Sequence, residues 1–101
     1  MSGKNRDLFT LADEVVDEPS FIDFLCALAA DREDEILKES ISPSSPYGPG
    51  ANGWENGTIE DFLGTAAGWA EGSRNGMPLY EVPANPWTRC AQILLMGKVY
   101  E

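Results

Sequence analysis

The sequence predicts an all-α fold: a small single-domain bundle of about four helices around a central C-terminal one, with a long loop rich in Pro, Gly and Ser. Three observations carry that expectation. Apolar residues recur at spacings of three and four in four separate segments. The last of these segments is apolar around most of its circumference, as a central helix must be. Residues 40–57 contain three prolines and four glycines, which forbid regular structure there. With 101 residues the chain has room for one domain, and 43% apolar residues suffice for a modest core.

The first helix is expected over residues 7–18, where Leu8, Leu11, Ala12, Val15 and Val16 form one stripe, Asp7 caps the start and Pro19 ends it at Glu18. Residues 1–6 are expected to be disordered. A second helix follows from Ser20, which with Asp23 approximates a capping box. Phe21, Phe24, Leu25, Leu28 and Ala29 make its apolar face. The run Asp31-Arg-Glu-Asp-Glu35 reads as a solvated patch, after which the helix either frays near residue 32 or continues to about Glu39. The 18 residues of 40–57 exceed the length of about 12–15 above which structureless loops are uncommon and usually functional or flexible.

The third helix begins at Thr58, with Asp61 three positions on and Ile59, Phe62, Leu63, Ala66, Trp69 and Ala70 facing inward. Gly64 and Gly68, four apart, suggest either close approach of another backbone or simple tolerance. Residues 72–85 form a second loop in which Leu79–Val82 could be briefly extended. Asn85 and Pro86 then supply an N-cap and first-turn pair for the last helix, Trp87 to about Tyr100. Cys26 and Cys90 are too few for a disulfide framework or zinc cage and read as buried, reduced thiols.

Charge narrows the function classes. The chain has 17 acidic residues, 7 basic ones and no histidine, for a net charge of −10; 11 of the acids fall in the first 40 residues. Such a surface repels nucleic acid and anionic lipid and favours a basic protein partner. The absence of histidine removes serine triads, cysteine–histidine pairs and imidazole zinc sites. No apolar leader begins the sequence, so a cytoplasmic location is expected. Gly48-Pro-Gly-Ala-Asn-Gly53 matches G-x-G-x-x-G by letter only, since no strand precedes it and Pro49 removes a donor. Asn56-Gly-Thr58 reads as a turn and N-cap rather than a glycosylation site. Residues 31–42 fail as a calcium loop, with Ile36 and Ser42 at the glycine and glutamate positions.

Glu14 with Asp17, and Asp31 with Asp34, repeat an i, i+3 spacing that could present four carboxylates to Mg²⁺ for hydrolysis of a nucleotide or phosphate ester. A solvated acidic face explains the same residues, and no cofactor is expected. Among the aromatics, Trp69 and Trp87 are expected in the core. Trp54, in a Gly-rich loop ahead of a helix, either plugs the loop onto the bundle or belongs to a binding surface.

Trp54-Glu-Asn-Gly-Thr-Ile-Glu-Asp-Phe-Leu63, followed by Trp69, together with the ending Ile93-Leu-Leu-Met-Gly-Lys-Val-Tyr-Glu101, resembles a family of small bacterial proteins that form a domain of unknown function. Its members carry W-E-N-x-T-[LI]-E-x-[FY]-L and I-L-x-x-x-K-[IV]-Y-E blocks. Phe21–Ala29 looks like that family's first long helix, and the resemblance spans about residues 11–101. It implies a fold and no activity. It also directs attention to Glu55, Asn56, Thr58 and Glu60 at a helix start and Lys98 and Glu101 at a helix end. A working surface is expected where Trp54, Glu55, Asn56, Trp87 and Tyr100 would converge. The leading expectation is a non-enzymatic protein-interaction module, with an inhibitor or immunity type as its narrower version and a homodimer left open. The alternative is the Mg²⁺-dependent hydrolase, and a small molecule under the long loop is a third reading.

Overall fold

A computed structural model of the protein describes residues 7–74 and 76–101; the disorder expected for residues 1–6 lies outside them. Four helices follow one another, α1 (Leu8–Asp13), α2 (Glu18–Ile41), α3 (Ile59–Arg74) and α4 (Pro86–Val99), with no strand among the described residues. The chain is thus the all-α single domain that its periodicity predicts. No helix among the described residues is long and apolar enough to cross a membrane.

Local chemistry sets the boundaries. Asp7 caps α1 as expected, its carboxylate accepting from Thr10 N–H at 2.8 Å. However, α1 stops at Asp13 rather than Glu18, because Asp17 turns extended to cap α2. Ser20 is the third residue of α2 and not its cap; it completes a reciprocal capping box with Asp17. Pro19 sits in the first turn, where its missing N–H costs nothing. The helix then runs unbroken to Ile41. Thr58 caps α3 through its hydroxyl, which accepts from Asp61 N–H at 3.1 Å, and Asn85 and Pro86 open α4 as the sequence predicts.

Helix α4 is central: it packs against the other three, most extensively against α3. The core gathers Ala12, Val15, Phe24, Leu28, Trp54, Ala91 and Leu95, flanked by Phe62 and Leu94. The closest backbone approach is not at Gly64 or Gly68, which have open space beside them, but at Gly97. A Cβ there would lie 2.9 Å from the Phe62 carbonyl oxygen and from its ring. At the other end of α4, Thr88 donates to the Val15 carbonyl and Asn85 to Val16, tying α4 to the α1–α2 turn.

Several inward assignments change. Ile59 and Leu63 are exposed, so the buried face of α3 is Phe62, Ala66, Trp69 and Ser73. Trp69 lies in the interior as expected, but Trp87 packs at the edge of the bundle on Phe21, with ring centroids 5.4 Å apart. Cys26 and Cys90 are exposed rather than buried, each displaced from its helix's core stripe (Phe24 and Leu28; Ala91 and Leu95). Leu79–Val82 forms no strand, and its first residue is not extended: Tyr80 N–H closes a turn onto Met77, and Leu79 takes a left-handed φ of 64°.

Candidate functional site: a carboxylate clamp beside an apolar trough

The residues read as a solvated acidic patch are the fastening of the long loop. After α2 the chain reverses and runs back along the helix it has just left. Asp31, Glu35 and Glu39, spaced by four, meet it in reverse order. The Glu39 carboxylate accepts from the backbone N–H and hydroxyl of Ser44 and from Ala51 N–H. Glu35, only 2% exposed, accepts from Asn52 N–H at 2.8 Å, from Trp54 N–H at 3.3 Å and from Arg32 at 2.7 Å. A Cβ at Gly50 would collide with the Glu35 carboxyl carbon, so a side chain there would push that carboxyl group off its hydrogen bonds. Gly53, at φ 88°, closes the turn with Gly50. Asn52 adds bonds from its amide to the Asp31 carbonyl and Asp34, and accepts from Lys38. The hydrogen bonds from Asn52 and Lys38 hold Asp34 below its ordinary pKa, and those from Ser44 and Ala51 do the same for Glu39.

Trp54 is the plug that this loop carries, and only 9% of it is exposed. Its indole N–H donates to Asp31 Oδ2 at 2.9 Å, and its ring rests on Phe62. The same Asp31 oxygen accepts from Lys98 Nζ at 2.7 Å. Lys98 and Arg32 both lie over the indole, 5.6 and 5.5 Å from its centroid. Lys98 is itself 7% exposed, and no buried side-chain donor or acceptor lacks a partner among the described residues. This is a closed network with each polar group committed.

The two sequence blocks noted above meet here. Glu55 N–H donates to the Lys98 carbonyl, and the Asn56 amide donates to the carbonyls of Gly97 and Tyr100, each at 2.9 Å. Trp54, Glu55, Asn56 and Tyr100 therefore do converge. Trp87 does not: it sits at the opposite end of α4, about 16 Å along the axis. The four carboxylates considered for Mg²⁺ do not gather either. Glu14 ends α1, Asp17 caps α2, Asp31 binds Lys98 and Trp54, and Asp34 binds Lys38 and Asn52. Among the described residues no cluster of three or more Asp, Glu or Cys is arranged to hold a metal ion.

Beside the clamp lies an open surface of different character. Helices α2 and α3 both pack on α4 but do not approach each other. Between them runs a trough of about 440 Å³, with buried or half-buried Leu28, Trp54, Phe62 and Leu94 as its floor. Exposed Leu25, Ala29, Ile59 and Leu63 form its rims. Among the described residues Arg32 is the only charged one lining it, and its guanidinium is taken by Glu35 and the Gly57 carbonyl.

No protein-family model, curated protein or solved structure matches the chain.

A larger depression, about 510 Å³ beside α1 and α2, is bordered by Asp7, Asp31 and Asp34, which are already occupied as cap and ion-pair partners. The trough is the feature that sequence reading missed. Assigning Ile59 and Leu63 to the core left no apolar surface over. A signal was present, since Ile59 with Leu63 and Phe62 with Ala66, Trp69 and Ser73 form two stripes, and α4 covers only the second.

Proposed function

We propose that this protein is a non-enzymatic protein-interaction module and that the α2–α3 trough is its binding face. One observation carries the reading: two neighbouring helices leave apolar side chains exposed over an apolar floor, with no packing between them. Ile59 is 76% exposed and Leu63 55%. Contiguous apolar surface of this kind marks an interaction site. The polar side chains at the trough, Arg32, Asn56 and Thr58, each hold internal bonds, so little is left to orient a small polar ligand. With a net charge of −10 the partner is a basic protein. An inhibitor or immunity role against a basic toxin or nuclease is a narrower version that charge and size support.

The test is photo-crosslinking in native lysate from position 59 or 63, with position 47 as control. Tyr47 is more accessible than either but lies on the loop away from the trough. A stoichiometric protein captured from 59 and 63 and not from 47 supports the reading. Its loss in Leu63→Asp, and its weakening between about 50 and 300 mM salt, would add the apolar and electrostatic parts. Folded protein that captures nothing at the rim positions overturns it.

A further inference from the structure

We infer that the partner enters the trough as an amphipathic α-helix with Lys or Arg along its flanks, an inference that rests on the interaction reading above. Backbone chemistry decides the shape. An extended segment laid over Leu28, Phe62 and Leu94 would bring its N–H and C=O groups against an apolar floor, where the polar side chains at its margin, Arg32, Asn56 and Thr58, each already hold an internal bond. Unpaired backbone groups there would carry their full desolvation cost, and a helix satisfies them internally. No sheet edge exists among the described residues for an extended strand to join.

Spacing agrees. The rim of α2 presents Leu25 and Ala29 at i and i+4, both exposed and about 6 Å apart along the helix. A second helix laid alongside would offer apolar anchors at the same interval, and the gap between α2 and α3 would become a helix-on-helix layer over α4.

Charge selects the flanks. Beyond the rims stand the exposed carboxylates of Glu33, four residues past Ala29 on α2, and of Glu60, next to Ile59 on α3. The trough's one cation, Arg32, is neutralised by Glu35. A second copy of this chain would set those carboxylates against their own equivalents, whereas a basic-flanked helix pairs with them.

The probe is a synthetic peptide of about 15 residues, made of Leu and Lys with Leu at i, i+3, i+4 and i+7, titrated into the isotope-labelled full chain. Two comparison peptides replace Lys by Glu, or keep the composition with Leu at every second position. Amide shifts confined to Leu25, Ala29, Ile59 and Leu63, with gain of peptide helicity, are expected for the first peptide. Binding about tenfold weaker or worse is expected for both comparison peptides and for Leu25→Asp. Equal binding of the alternating peptide overturns the helical part, and equal binding of the Glu peptide overturns the charge part. Shifts mapping elsewhere overturn the site. If crosslinking from 59 and 63 captures a protein while no peptide binds, the interaction reading stands and this inference falls; if neither responds, both fall.

Discussion

The loop 42–58 and the segment 76–85 both fold back onto helices, and each is organised by charged side chains that a helix supplies. In the first, α2 offers acceptors: Glu35 and Glu39 collect backbone N–H groups from the loop. In the second, α4 offers a donor. Arg89 bonds the Ala70 carbonyl at 2.8 Å, the Ser73 hydroxyl at 2.9 Å and the Tyr80 hydroxyl at 3.1 Å, and lies over the rings of Trp69 and Tyr80. The outcomes differ. The carboxylate-held loop buries its Trp54, whereas the arginine-held segment leaves Leu79 fully exposed in a left-handed conformation. Several acceptors spaced along a helix fasten a length of chain; one guanidinium fastens a point.

That contrast can be broken by removing each anchor. Glu35→Ala has the largest expected effect, a loss of about 3–5 kcal/mol, because it strands two backbone N–H groups and the Arg32 cation. Urea denaturation followed by tryptophan fluorescence reads it. Arg89→Ala should cost less, about 2–3 kcal/mol, since its partners are a carbonyl and two hydroxyls beside half-exposed surface. Arg89→Lys should recover little of this, for want of the planar fork. The reverse ranking in denaturation would end the comparison.

Acid should separate the two regions without mutation. The Asp34 and Glu39 carboxyls have pKa values below their ordinary 3.8 and 4.5 because hydrogen bonds favour the charged forms. Their contribution is whole above those ordinary values and is lost as pH falls through the lowered ones. Exchange protection at the Ser44 and Ala51 amides should therefore fall below about pH 4, while the bonds made by Arg89, which go to a carbonyl and two hydroxyls and to no carboxylate, persist. Amide exchange measured against pH checks both halves at once. The smallest effect is expected at Leu79, whose φ of 64° and full exposure make glycine the better residue. Leu79→Gly should raise stability by about 0.5–1 kcal/mol in thermal denaturation. If it lowers stability instead, this side chain has a packing role that its exposure conceals.

What could be read from the chain follows the range of the interactions involved. Caps at Asp7, Thr58 and Asn85 involve bonds over two or three residues, and all three were legible. The apolar character of α4 was legible as well, whereas of the α2 stripe Phe24 and Leu28 are buried and Leu25 and Ala29 are exposed. Glu35 was not, since a carboxylate within Asp31–Glu35 reads as solvated until a segment 17–19 residues further on returns to cover it. Yet Asp31, Glu35 and Glu39 share one helix face, and a glycine-rich segment with free N–H groups follows. The α2–α3 trough was hidden for the opposite reason. Periodicity says that a stripe is apolar, and it does not say whether a neighbour arrives to cover it.

The clamp reverses the usual distribution of freedom between helix and loop. At Ala51, which meets Glu39 through its backbone N–H, any residue but proline can make the same bond. Glu35, in contrast, acts through its own carboxyl group, at a fixed reach and angle, against a glycine where a Cβ would displace it. In a randomised library selected for folding, position 51 should drift while position 35 stays fixed. The loop would look like the disposable part of the molecule, although the instructions for its shape are written on the helix before it.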